Sequence, residues 1–126
     1  MRVVTFKLNS TGSMYLDLIA INFFDGIKSV AIRYAIKHYL KKRPSKKELY
    51  DAYRFLTARS KHEERVITFK IEEDDFEYIE SKIEAYNLGN RSDAIKLALY
   101  RMIVDKIINN NDETVPPARM IKIKLR

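Results

Sequence analysis

With 126 residues, 46% of them apolar and 33% charged, and only three glycines and three prolines, the chain suits one compact domain, or two very small ones sharing a core, with a leaning toward helix. It has no cysteine, which excludes a disulfide scaffold and a cysteine-based zinc site, and no apolar run of membrane-spanning length. The formal charge of +7 favours a polyanionic partner without naming one, and it is uneven: residues 1–42 carry +5 and residues 65–104 carry −2.

Arg2-Val3-Val4-Thr5-Phe6-Lys7-Leu8 alternates strictly, the pattern of a half-buried strand. Val4, Phe6 and Leu8 share one face, and Val3, Thr5 and Lys7 the other. An alternating start in place of a basic cap and apolar core gives no secretion signal, so a cytoplasmic protein is expected. Asn9-Ser10-Thr11 then opens a helix with Leu16, Ile19, Ala20 and Phe23 as its stripe. Gly26 is expected to end it in the left-handed conformation. A second helix follows at once. Ile27 stands in its cap position, and Val30, Ala31, Ile32, Tyr34, Ala35, Ile36, Tyr39 and Leu40 make it apolar on most faces, which predicts burial. Pro44-Ser45-Lys46-Lys47-Glu48 is a capping-box start, and Leu49, Ala52, Tyr53 and Leu56 form a stripe, predicting a helix over about 45–60.

At residue 65 the pattern begins again. An ungapped shift of 63 residues lays 2–40 on 65–103 with eleven of 39 positions identical; composition alone gives roughly two or three, so a repeat is the better account. The second strand is Arg65-Val66-Ile67-Thr68-Phe69-Lys70-Ile71, with Val66, Thr68 and Lys70 outward and Ile67, Phe69 and Ile71 inward. Glu72-Glu73-Asp74-Asp75 suits the positive end of a helix carrying Phe76, Ile79, Ile83 and Tyr86, which Gly89 is expected to end. Asn90-Arg91-Ser92-Asp93 is an N-cap sequence for a last helix, apolar nearly all round. The tail breaks at Asn109-Asn110-Asn111-Asp112 and Pro116-Pro117. Ile121, Ile123 and Leu125 then alternate with Lys122, Lys124 and Arg126, as an extra strand or a basic arm would.

The parsing is therefore 1–42, strand and two helices; 43–64, linker helix; 65–108, strand and two helices; 109–126, basic tail. One such unit cannot bury its apolar surface or pair its lone strand. Antiparallel pairing of the two strands over intertwined helices solves both problems. All three outward strand positions are identical between the copies, whereas two of three inward ones differ conservatively. Packing alone would favour the reverse.

This β-α-α unit resembles the ribbon-helix-helix DNA-binding family, the class of the MetJ, Arc and CopG repressors, over 2–42 and 65–108. Leu88-Gly89-Asn90-Arg91-Ser92-Asp93-Ala94-Ile95 looks like that family's turn into its second helix. Two tandem copies are similar to transcription regulators of archaeal viruses, for which the location would be the host cytoplasm. The resemblance implies a mainly α fold with a two-stranded antiparallel ribbon in the major groove of double-stranded DNA. It implies base contact by Val3, Thr5, Lys7, Val66, Thr68 and Lys70. Lysine suits guanine acceptors, and valine or the threonine methyl suits thymine. Phosphate contact falls to Lys28 and Ser29, and to Asn90, Arg91 and Ser92, at helix N-termini that suit anions, with Arg2 and Arg65 nearby.

The first outward position departs from the family, which often has a basic or polar residue where this chain has Val. The acidic run Glu72–Asp75 has to face away from DNA. His38 and His62 have no metal-ligand spacing, and there is no phosphate loop and no nucleophile with a base. No enzyme, cofactor, small-molecule substrate or membrane partner is expected. The expected function is a sequence-specific regulator, with repression the first choice. Association of copies through apolar helices is a further expectation. An antitoxin-type protein that grips a toxin through 109–126, and a DNA-coating architectural protein, are the rival readings.

Overall fold

The structure, a computed structural model, describes residues 1–109; the expectations for the tail beyond Asn109 lie outside the described residues. The elements are β1 (Arg2–Leu8), α1 (Ser10–Phe23), α2 (Lys28–Tyr39), α3 (Lys46–Leu56), β2 (Arg65–Ile71), α4 (Glu73–Tyr86) and α5 (Arg91–Ile103), closed by a π-helical turn over Val104–Ile108. Among the described residues the chain is thus mainly helical, with five α-helices and one two-stranded antiparallel sheet. No helix there is long and apolar enough to cross a membrane.

β1 and β2 pair with Thr5 opposite Thr68, Val3 opposite Lys70 and Lys7 opposite Val66. Both strands show the same burial: Val4, Phe6 and Leu8, and Ile67, Phe69 and Ile71, point into the core, while the intervening side chains are exposed. Phe6 and Phe69 meet edge to face beneath the ribbon, their ring centroids 5.9 Å apart at 89°, a geometry worth about 1 kcal/mol beyond its buried area.

α5 is the central helix. Ala94, Ile95, Leu97, Ala98, Leu99, Met102 and Ile103 are all buried, and the helix packs on α1, α2, α3, α4 and β1. α2, equally apolar in sequence, buries one face through Ala31, Ile32, Ala35 and Ile36, while Val30, Tyr34 and Tyr39 stay half-buried. The expectation of all-round burial therefore fits α5 and not α2. The reason is α3, which lies across α5 and α1 and packs far less against α2.

The helix ends show how local sequence sets these elements. Asn9 caps α1 by accepting from the Gly12 amide at 2.7 Å, and its own amide group donates to the Phe55 carbonyl at 2.8 Å, tying α1 to the end of α3. Ser45 caps α3 through the Glu48 amide at 3.1 Å, half of the expected capping box. α1 ends through Asp25 and Gly26 at positive φ, as expected for Gly26. The counterpart expectation for Gly89 is corrected: Asn87 takes the left-handed position, and Gly89 is not among the positive-φ residues. Gly89 instead makes room, since a Cβ there would lie 2.5 Å from Asp93 Oδ2. That carboxylate faces Tyr53 of α3, whose hydroxyl is pushed up to about 12 by burial first and by Asp93 second.

Candidate nucleic-acid interface

The strand alternation brings Val3, Thr5, Lys7, Val66, Thr68 and Lys70 onto one exposed face. The register makes it a grid of three cross-strand pairs. Thr5 and Thr68 form the centre, their hydroxyls hydrogen-bonded at 3.0 Å. Because one hydroxyl donates to the other, the pair keeps one proton and several lone pairs for an outside partner. Lys7 and Lys70 occupy diagonal corners, each opposite a valine. Val3 and Val66 are 62% and 60% exposed, so the centre of the face is apolar and its corners cationic. Two strands stand ~4.8 Å apart, and a ribbon with its side chains fits the major groove, which is about 12 Å wide.

The α5 N-terminus lies beside β1. Ser92 and Lys96 line one cavity with Thr5, Phe6, Lys7, Thr57 and Glu64. On the other edge, Arg33 of α2 donates to the Lys70 carbonyl of β2 at 3.0 Å. Each strand is thus flanked by a helix that follows the other strand's half of the chain or its own linker, not by the helix immediately after it. At the helix starts, Asn90 caps α5 by accepting from the Asp93 amide at 2.9 Å. Ile27 makes no side-chain cap for α2. Lys28 and Ser29 open α2, as Arg91 and Ser92 open α5.

The candidate phosphate cations are engaged by the protein itself. Lys28 pairs with Asp17 at 3.4 Å and Arg91 with Glu80 at 3.3 Å. These two pairs are related by the 63-residue offset at both partners. Arg2 pairs with Glu73 at 2.8 Å and lies over the Phe76 ring. Arg65 donates to the carbonyls of His62 and Glu64. Lys7 stands 3.5 Å from Glu64. All of these pairs but the last are about half exposed on both sides, and such pairs hold their partners by about 1 kcal/mol or less, so a phosphate can displace them. The acidic start of α4 sits at the Arg2–Ile71 end of the ribbon, where Arg2 meets Glu73 and Lys37 lies beside the run Glu72–Asp75.

Two residues escaped the sequence reading. Arg33 and Lys96 are one offset apart and both flank the ribbon. Lys96 is buried to 9% exposure and donates to Thr57 Oγ1 at 3.1 Å. Burial lowers its pKa, opposed by the charges of Asp93 and Glu64. The available signal was a basic residue kept in both copies inside an otherwise apolar helix.

Over 60 residues the chain is 40% identical to "Uncharacterized protein 59" of Sulfolobus islandicus rod-shaped virus 1, an alignment covering 48% of this chain and 95% of that protein. The chain belongs to the family of this archaeal virus protein. No family model matches the chain, and no solved structure does.

Proposed function

We propose that this protein is a tandem ribbon-helix-helix protein that binds double-stranded DNA sequence-specifically and regulates transcription, with the β1–β2 ribbon in the major groove. The observation that carries this reading is the outward face itself. Two strands from distant parts of the chain contribute the same Val-Thr-Lys triplet, arranged about the Thr5–Thr68 contact with the lysines at diagonal corners. A face with twofold likeness matches a pseudopalindromic duplex, and its groups match base edges: ammonium for guanine acceptors, methyls for thymine, hydroxyls for either. Phosphates on either side would meet the starts of α2 and α5, with Lys28, Ser29, Asn90, Arg91 and Ser92, helped by Arg2 and Arg65.

The tandem reading has two further supports. Strand, first helix and second helix start one 63-residue offset apart in the two halves: Arg2 and Arg65, Ser10 and Glu73, Lys28 and Arg91. The viral relative, of which 60 residues are 95%, is about 63 residues long, one repeat period. A chain of that length would supply one strand and need a partner copy; here both strands are in one chain.

Selection of bound duplexes from a random pool tests the reading. A pseudopalindromic motif is expected, and a pool with no enriched motif would favour a DNA coat over a regulator. Lys7→Ala with Lys70→Ala should then weaken binding to the selected site about 100-fold, at about 1–3 kcal/mol per specific contact. The denaturation midpoint should stay put, since both lysines are exposed. Unchanged affinity would remove the ribbon from the interface.

A further inference from the structure

The 63-residue offset lays α1 on α4, and their outer faces differ in kind. At 100° per residue, Ser10, Met14, Asp17 and Ile21 fall within an arc of about 60° on α1. The matching positions on α4 are Glu73, Glu77, Glu80 and Glu84, all exposed. One stripe is thus solvated by four carboxylates. The other exposes Met14 at 38% and Ile21 at 66%. The core does not demand these apolar residues, because the same fold carries glutamates in their places. The difference continues past the helix, where half-exposed Ile27 matches Asn90. α1 holds no lysine or arginine, and its single charge, Asp17, is paired with Lys28.

We infer that this stripe of α1 is a contact between two copies of the chain bound side by side on DNA. The inference takes its setting from the DNA-binding reading above. Three observations name a second copy as the occupant. Copies of charge +7 repel each other, and a helix with no basic residue is where they meet at least Coulomb cost. The α4 stripe cannot meet its own kind, or α1, without burying carboxylates that lack partners. The contact is therefore α1 to α1 across a twofold, which closes as a pair and does not propagate into fibres. Finally, two or three side chains on each copy cover far less than the ~800 Å² per partner of a stable complex. Such a contact does not hold copies together in dilute solution. It suffices when neighbouring sites on one duplex raise the effective concentration to the order of millimolar.

The test compares wild type with the double variant Met14→Gln, Ile21→Gln, which removes the apolar stripe without changing charge. On a duplex holding one site, the two should bind equally. On a duplex holding two adjacent sites, wild type should bind its second copy at least tenfold more tightly than its first, and the variant should show no such preference. A DNA-free arm separates this inference from the reading it rests on. In sedimentation equilibrium near millimolar protein, wild type should self-associate weakly and the variant should not. That result with no DNA binding would sink the DNA reading and its setting while leaving the α1 contact standing. Cooperativity or self-association that survives in the variant, or wild type showing neither, overturns the contact. A lower unfolding midpoint for the variant with unchanged association would place residues 110–126 on the stripe and overturn it as well.

Discussion

Arg101 shows how much one side chain joins together. Its guanidinium makes a two-pronged bond to Glu48 at 2.8 and 2.7 Å and donates to the carbonyls of Tyr39 and Lys42 at 3.0 and 2.8 Å. It therefore satisfies the end of α2, the start of α3 and its own charge together, at 14% side-chain exposure. Arg101→Met should cost about 2–3 kcal/mol in urea unfolding, because it strands a carboxylate and two carbonyls. The hydrogen bond from Arg101 holds the Glu48 carboxyl below its ordinary value, against a smaller opposing effect of burial. A depressed folded pKa means stability that is present above the unfolded-state value and lost as pH falls through the folded one. Glu48→Gln should thus destabilise at pH 7, and the gap from wild type should close as pH drops below the usual glutamate range. A gap of constant size from neutral to acid would refute this account. The sequence pointed Glu48 back toward Ser45 as a capping box. Arg101 lies 53 residues further on, and no local pattern announces such a partner.

The two halves solve the same helix starts differently. α1 relies on Asn9, which is buried and bonded to both Gly12 and Phe55, whereas Glu72 before α4 makes no side-chain cap. Asn9→Ala should therefore cost about 2 kcal/mol, at the upper end for a cap, since it also frees the Phe55 carbonyl. The reverse holds between α2 and α5: Asn90 caps and Ile27 does not. Ile27→Asn should gain about 0.5–1 kcal/mol by supplying the missing acceptor. Thermal or urea melts check both, and a neutral Asn9→Ala would show that the α1–α3 tie is held elsewhere. Strand parity, helix stripes and three of the caps were legible in the sequence, since each depends on neighbours within a few residues. The left-handed residue after α4 was not. Asn87 and Gly89 both tolerate or suit such a turn, and the packing of Asp93 against Gly89 and Tyr53 decided between them.

Across the whole molecule, β1 and β2 pair although a linker helix and two further helices separate them in the chain. If that pairing is within one chain in solution, the unfolding midpoint should not change with protein concentration across the micromolar range. Thr5→Cys with Thr68→Cys gives a sharper check in a chain with no other cysteine. The two hydroxyls already touch, so the thiols are within disulfide reach. Oxidation should yield a crosslinked monomer, stabilised by about 4 kcal/mol at most for a loop of this length. Crosslinks only between chains would mean that the strands pair by exchange between copies.

By itself the sequence determined the two strands and their inner and outer faces, because alternation leaves one face apolar and burial follows from that. It also determined that neither half is stable alone, since each leaves a strand unpaired and an apolar helix uncovered. Tertiary structure alone decided that α5 is the central helix while α2 stays open on one side, because α3 covers only one of two equally apolar helices. It alone decided the register that sets Thr5 against Thr68 and places the lysines at opposite corners. Register and cover depend on contacts between residues tens of positions apart, where the period of a pattern carries no information about its partner.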